Sequence, residues 1–209
     1  MLRLHDYRRC PFCIRVRMVI VLKALDCEIV PETLRDWSEW MQSWSVENNT
    51  RARVPVLENP ETGWTLAESN EITLWLDALP SSHHALTPEK SKLSEMRSWW
   101  RWCDERLKPA IDLYKYGPSR ILDPSLTPAH EQSLTKLLHN CEHALSNQPY
   151  LLGKNLTLAD IAIIPFIRQL MRTREGAFDF SPFPQLTRWA EGVLSADWFT
   201  DKVMRKISQ

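Results

Sequence analysis

The sequence lacks a surplus of charge of either sign, because its 26 basic residues are balanced by 26 acidic ones. A strongly basic field for nucleic-acid binding is therefore absent, and so is the acidic bias of a disordered tail. Glycine is also scarce, with 5 in 209 residues. Together with the absence of alternating apolar and polar tracts after about residue 70, this scarcity predicts a largely helical chain.

Long hydrophobic runs and a disulfide framework are lacking too. The longest apolar stretches, near Val19–Leu22 and Ile161–Ile167, are far shorter than the roughly 20 residues of a membrane helix. The first residues carry charges where a secretion signal needs an apolar run. The cysteines number 5 and contain one close pair, which is typical of a reducing compartment. We therefore expect a cytoplasmic protein that binds neither membrane nor nucleic acid.

The order of predicted elements in residues 1–80 is β-α-β-α-β-β-α, which indicates one compact α/β layer. Strands are predicted at Leu2–His5, Glu28–Val30, Val54–Leu57 and Trp64–Ala67, and helices at Pro11–Leu25, Asp36–Ser45 and Ser69–Leu79. The turn residues Asn59–Gly63 predict an antiparallel hairpin between the last two strands.

Only helical patterns follow the predicted linker at Pro80–His84. Helices are predicted from Thr87 past Trp102 with a kink near Pro109, and at Thr127–Ser146, Asn155–Thr173, Pro184–Leu194 and Asp197–Ile207. The first two begin with Thr-Pro, a cap followed by a first-turn proline. The chain is thus predicted to have an α/β domain, residues 1–80, and an all-helical domain, residues 85–209.

The segment Cys10-Pro11-Phe12-Cys13 follows the first predicted strand and opens the first predicted helix. A thiol in the first turn of a helix faces unpaired N–H groups and the positive end of the helix dipole, which favour the thiolate and lower the pKa. The thiolate is the nucleophile of thiol–disulfide exchange. We therefore predict that Cys10 is the nucleophile and that Cys13 resolves the intermediate if it is used at all. Positive potential is expected from four nearby arginines: Arg8, Arg9, Arg15 and Arg17.

Zinc binding and a purely structural role are the alternatives for this cysteine pair. A zinc site needs two further ligands at suitable spacing, but the chain has no second cysteine pair, and His83-His84 lies in the predicted linker. We therefore expect no metal. The single cysteines Cys27, Cys103 and Cys141 lie on apolar patterns that are typical of buried small side chains.

Two further segments suit a peptide-like ligand. If the Val54–Pro55 bond is cis, the Val54 backbone faces outward and can pair with an extended peptide; an ordinary trans proline that begins an edge strand is the alternative. Glu68-Ser69 lies at a helix start, where the serine suits a carboxylate and the glutamate an ammonium group. A simple helix cap is the alternative there.

These motifs resemble the glutathione transferase superfamily over residues 1–80. The resemblance rests on Cys10–Cys13 with Arg17, on Arg53–Leu57 and on Glu68-Ser69. It is greatest for the cysteine-bearing branches: two-domain glutaredoxins, omega-like transferases, dehydroascorbate reductases and intracellular chloride channel proteins. It implies a thioredoxin-like N-terminal domain, an all-α helical C-terminal domain, and glutathione as co-substrate.

The resemblance also implies roles for single residues. Pro55 is implied to be cis, and the backbone of Val54 to hold the cysteinyl part of glutathione. Glu68 and Ser69 are implied to hold its γ-glutamyl part, and Phe12 is counted with these glutathione-binding residues. Many relatives form C2 dimers and two-domain glutaredoxins are often monomers, so both a homodimer and a monomer remain open.

A match in the second half, Asn155–Ala162, resembles the family's internal helix-start motif. Thr157 and Asp160 are predicted to cap each other, with Leu156 and Ile161 as the hydrophobic staple. Asp160 is therefore predicted to be structural rather than catalytic.

Three functions fit the sequence. The first is a thiol transferase that uses Cys10 on small thiol or disulfide substrates. The second is conjugation of glutathione to hydrophobic electrophiles, with Trp99, Trp102 and Tyr114 as weak candidates for a second-substrate site and interdomain core as their alternative role. The third is a non-catalytic relative that binds a partner, against which the intact Cys-Pro-Phe-Cys motif argues.

Overall fold

The computed structural model describes residues 1–117, 127–173 and 177–205. The chain divides into two units, one formed by Met1–Ala85 with the segment from Asp197, and the other by Leu86–Ala196. The first unit holds a four-stranded sheet, and the described part of the second consists of helices and their connections. This combination of a thioredoxin-like α/β unit with a helical unit confirms the predicted fold class.

The sheet has the strand order β2-β1-β3-β4. Its strands are β1 (Leu2–Asp6), β2 (Cys27–Pro31), β3 (Val56–Asn59) and β4 (Trp64–Ala67). β1 pairs with β2 in parallel and with β3 antiparallel, so that Leu4 lies between Ile29 and Leu57. β3 and β4 form the predicted antiparallel hairpin, and Gly63 in its turn has a φ of 70°, which glycine adopts without strain.

Three helices complete this part of the first unit: α1 (Pro11–Leu22), α2 (Glu39–Glu47) and α3 (Ser69–Asp77). α1 is the crossover that a parallel pair of strands requires. It ends earlier than predicted because Ala24 adopts a left-handed φ of 49°. α2 begins later than predicted, because the Ser38 hydroxyl accepts a hydrogen bond from the N–H of Met41 and so caps the helix.

The described part of the second unit contains five α-helices: α4 (Leu93–Trp102), α5 (Lys108–Tyr116), α6 (Thr127–Ala144), α7 (Leu158–Met171) and α8 (Pro184–Leu194). α4 follows a 3₁₀ turn and begins later than the predicted cap at Thr87. A π-helical turn, Cys103–Leu107, precedes Pro109, near which the sequence predicts a kink. A proline ring clashes with the carbonyl four residues earlier in a regular α-helix, and π turns are a common interruption at such points.

Asp160 lies at the start of α7 and is fully buried. Its carboxylate accepts hydrogen bonds from the N–H and hydroxyl of Thr157, both at 2.9 Å, which confirms the predicted capping interaction. It also accepts from the N–H of Leu151 at 2.9 Å and from Nε1 of Trp189 at 3.1 Å. Burial raises the pKa of Asp160, and the four hydrogen bonds act in the opposite direction. Asp160 therefore joins α7, α8 and the loop before α7.

The segment after α8 belongs with the first unit, although the sequence pattern assigns it to residues 85–209. It forms a π-helical turn, Trp198–Val203, that packs against α1. Arg8 donates to the carbonyl oxygen of Met204 from Nε at 3.3 Å and from Nη2 at 2.9 Å. The end of the predicted helix Asp197–Ile207 lies outside the described residues. In the parts of the chain that the structure describes, no helix is long and apolar enough to cross a membrane.

Candidate active site

Cys10 is the residue immediately before α1. Its backbone is extended, with φ −69° and ψ 122°, and its side chain is partly exposed. The pKa of its thiol is lowered to about 7, first because the Cys13 thiol donates a hydrogen bond to it and further because the N–H groups of Cys13 and Phe12 point towards it; burial opposes this shift. Near neutral pH a large fraction of Cys10 is therefore thiolate.

Cys13 has the opposite environment. Its side chain is fully buried one turn into α1. Burial, together with the neighbouring Cys10, raises the pKa of Cys13 well above its ordinary value, while the N–H of Tyr7 donates to its sulfur at 3.4 Å. Cys13 therefore stays protonated at neutral pH and acts as the hydrogen-bond donor that stabilises the Cys10 thiolate.

Arg17 forms a buried ion pair with Asp6, with 2.7 Å between Nη1 and Oδ2. Its Nη2 also donates to the carbonyl oxygen of Arg8 at 2.6 Å. The sequence predicts that Arg17 adds positive potential near Cys10. In the structure its charge is balanced by Asp6, and the ion pair instead holds the loop between β1 and α1 that leads to Cys10.

Val54 and Pro55 lie beside the thiol. Their peptide bond is cis, as the resemblance implies. The Cys10 sulfur is 4.0 Å from the carbonyl oxygen of Val54. β3 begins at Val56, two residues later than predicted, so the Val54 backbone lies outside the sheet ladder. The Val54 side chain packs against the cluster of Met41, Trp44 and Val56.

Glu68 and Ser69 form the start of α3. Glu68 has a φ of 71°, a left-handed conformation that is uncommon for residues other than glycine and is enriched at functional sites. Its side chain is exposed and makes an ion pair of 2.9 Å with Arg53. Ser69 is 5% exposed, and its hydroxyl accepts a hydrogen bond from Nη1 of Arg15 at 3.0 Å.

The sequence predicts that Arg15 adds positive potential near Cys10, but its contact with Ser69 was not predicted. The side chain is completely buried, it reaches from α1 to Ser69 on α3, and its guanidinium lies 5.1 Å from the ring centroid of Phe12. It therefore connects the helix that carries the thiol to the helix start that carries Ser69. The sequence feature that could have indicated this contact is an arginine among the apolar residues of α1, because a buried arginine needs a hydrogen-bond or ion-pair partner.

The three candidate second-substrate residues all lie in the second unit. Trp99 and Trp102 make an edge-to-face contact at 5.3 Å. Tyr114 is 2% exposed and contacts Phe178 edge-to-face at 5.7 Å, so it packs within the helical unit. A second-substrate site at these residues stays a prediction. Among the described residues, no group of three or more histidine, cysteine or acidic side chains could hold a metal ion.

Comparisons with known proteins match both halves of the chain. A family model for the glutathione S-transferase N-terminal domain matches residues 4–84, and a model for the glutathione S-transferase C-terminal domain matches residues 112–197. Together they span most of the chain, and the chain belongs to the glutathione S-transferase family.

Individual relatives are distant but cover nearly the whole chain. A glutathione S-transferase of Hyoscyamus muticus is 24% identical over 202 residues, with 93% of each chain covered. The glutathione transferase omega-1 of Caenorhabditis elegans is 22% identical over 206 residues, covering 93% of this chain and 78% of its own. The crystal structure of a tau class glutathione S-transferase from mango has a TM-score of 0.80 at 21% identity, covering 98% of this chain and 93% of that one. The mango structure shows the same fold, whereas membership of the narrower cysteine-bearing branch stays a prediction.

Proposed function

We propose that this protein is a glutathione-dependent thiol transferase in which the Cys10 thiolate is the reacting group. The observation that carries the proposal is the position of Cys10 at the N-terminus of α1, 4.0 Å from the carbonyl oxygen of Val54. The pKa of its thiol there is about 7. A thiolate in such a position is the nucleophile of disulfide exchange.

Glutathione is an extended tripeptide, and the surroundings of Cys10 suit its parts. The Val54 backbone pairs with the cysteinyl residue and brings its sulfur next to Cys10. The α-carboxylate of the γ-glutamyl end lies at the N-terminus of α3, where Ser69 and the positive end of the helix dipole favour an anion. Its ammonium group faces Glu68. The ion pair between Glu68 and Arg53 is exposed and therefore weak, so Glu68 can also pair with the ammonium group. Phe12 adds a backbone donor beside the sulfur.

The reaction has two exchange steps. The Cys10 thiolate attacks the glutathionyl sulfur of a mixed disulfide, a bond forms between the two sulfurs, and the substrate leaves as a thiolate that takes up a proton. The thiolate of a second glutathione then attacks the glutathionyl sulfur on Cys10, giving oxidised glutathione and restoring the Cys10 thiolate. Because Cys13 is buried and protonated, glutathione rather than Cys13 resolves the intermediate.

Conjugation of glutathione to an electrophile is the second candidate, and the names of the relatives favour it over the first. Most are called glutathione S-transferases without reference to disulfides. In that reaction the thiolate of glutathione attacks the electrophile, and only the protonated fraction of Cys10 can donate a hydrogen bond to that thiolate. A cytoplasmic location and a homodimer stay predictions under either function.

The two reactions can be separated with the wild-type protein. We expect a larger kcat/KM for glutathione-coupled reduction of bis(hydroxyethyl) disulfide than for conjugation of glutathione to chlorodinitrobenzene, because a Cys10 thiolate promotes the first reaction and competes with the second. Each rate is corrected for the uncatalysed reaction. Rapid conjugation with no disulfide reduction above background would reject the thiol transferase and establish the second candidate.

A further inference from the structure

A group of buried polar side chains lies in the first unit, centred on His5 of β1. The imidazole of His5 lies between two carboxylates, with 2.9 Å between its Nδ1 and Oε1 of Glu32 and 3.3 Å between its Nε2 and Oε2 of Glu58. All three side chains are buried. Carboxylates are rarely buried unless they are paired, so these two depend on the partners that the structure gives them.

The geometry around His5 favours the imidazolium form of its ring. Both ring nitrogens face carboxylate oxygens, which accept hydrogen bonds. A neutral imidazole carries a proton on one nitrogen only, so its other nitrogen would direct a lone pair at an oxygen. The imidazolium donates on both sides and compensates one of the two buried negative charges.

The same three side chains hold the first turn of α2. The carboxylate of Glu32 accepts hydrogen bonds from the hydroxyl of Ser38 at 2.7 Å and from its N–H at 3.1 Å. The carboxylate of Glu58 accepts one from Nε1 of Trp40 at 3.1 Å. The indole of Trp40 also stacks on the imidazole of His5, with 3.6 Å between the ring centroids and 8° between the planes. Stacking of a cation on an indole is favourable, so the charge of His5 strengthens this contact too.

We propose that His5, as an imidazolium, is a positioning residue for the glutathione site. It holds the first turn of α2, and α2 contributes Met41 and Trp44 to the apolar cluster against which Val54 packs. The inference rests on one part of the proposed function, the pairing of the Val54 backbone with the cysteinyl part of glutathione. It does not depend on whether Cys10 or the thiolate of glutathione is the nucleophile.

NMR of the wild-type protein with 15N-labelled histidine tests the charge of His5. Its ring signals are assigned through the contact with the indole of Trp40. At pH 7 we expect both ring nitrogens to have the chemical shift of a protonated nitrogen. The shift of an unprotonated nitrogen at either position would overturn the proposal.

Calorimetry with S-methylglutathione, which has no thiol to react with Cys10, tests the positioning. His5→Gln should lower the affinity by about tenfold, because it removes a charged donor to two buried carboxylates. Trp40→Phe keeps a ring for stacking and removes the donor to Glu58, so the loss should be about threefold. The kcat of the glutathione reaction that the wild type catalyses should stay within about twofold in both variants, because Cys10 and its hydrogen-bond donors are unchanged.

Arg3→Gln is the matched control. Arg3 also lies on β1 and forms an ion pair with Glu28 of β2, with 2.8 Å between Nε and Oε2, but this pair is exposed and contacts no residue of α2. Its affinity for S-methylglutathione should equal that of the wild type. Unchanged affinity in Trp40→Phe, which also decides if His5→Gln does not fold, or an equal loss in Arg3→Gln would overturn the proposal. Either result leaves the thiol transferase reaction intact, since that is judged by disulfide reduction with the wild-type protein.

Discussion

Cys10→Ser is expected to lower the glutathione-coupled reduction of bis(hydroxyethyl) disulfide by more than about a hundredfold, because a serine hydroxyl stays protonated near neutral pH and forms no disulfide. The loss should fall on kcat, since the residues proposed to hold glutathione are unchanged. Steady-state kinetics at pH 7 measure the loss in kcat, and mass spectrometry detects the glutathione adduct on Cys10. No adduct should form on the serine variant.

Two variants serve as controls for this experiment. Cys27→Ser should keep wild-type activity, because burial raises the pKa of Cys27 to about 12 and this thiol is inert near neutral pH. Cys13→Ser should keep most of the activity, because serine can still donate a hydrogen bond to Cys10 and glutathione can resolve the adduct. Full disulfide reduction by Cys10→Ser would contradict the proposed mechanism. Inactivity of Cys13→Ser with a normal fold would contradict the one-cysteine route.

Asp160→Ala is expected to lower the free energy of unfolding by roughly 3–5 kcal/mol, since it removes the acceptor of four hydrogen bonds in a fully buried place. The buried N–H groups of Leu151 and Trp189 would lose their partner, and the start of α7 would lose its cap. Urea denaturation followed by circular dichroism measures the change.

The control for this variant is Asp179→Ala. The carboxylate of Asp179 also accepts two hydrogen bonds from a single residue, one from the N–H and one from the hydroxyl of Ser181. Unlike Asp160, Asp179 is exposed. Water can replace it as the acceptor, so we expect a much smaller change in the urea midpoint than for Asp160→Ala. Equal changes in the urea midpoint for the two substitutions would contradict the claim that the buried hydrogen bonds of Asp160 stabilise the fold.

The sequence was sufficient for features that depend on neighbours along the chain. The strand-to-helix position of Cys10, the hairpin around Gly63 and the cap between Thr157 and Asp160 each involve residues only a few positions apart. Turn chemistry, helix capping and periodic apolar positions predict such features directly. The predicted ends of the helices were less accurate. The left-handed backbone of Ala24, for example, ends α1, but an alanine does not indicate such a conformation.

The sequence was insufficient for contacts between distant residues. Arg15 and Ser69 are 54 positions apart, and the pairing of their side chains follows from the packing of α1 beside α3. The same holds for the thiol and carbonyl of Cys10 and Val54, 44 positions apart. The edge-to-face contact of Tyr114 with Phe178, 64 positions apart, is a third case.

The ionisation of Cys10 in the folded protein is the quantity on which the proposed chemistry depends. Its alkylation by iodoacetamide, followed site by site with mass spectrometry from pH 5 to 10, gives the pKa of this thiol directly. We expect a midpoint near pH 7, with the reaction rate rising through neutrality and protection by bound glutathione. A midpoint near the pKa of about 8.5 of a free cysteine, or no reaction of Cys10 in the native state, would contradict the account.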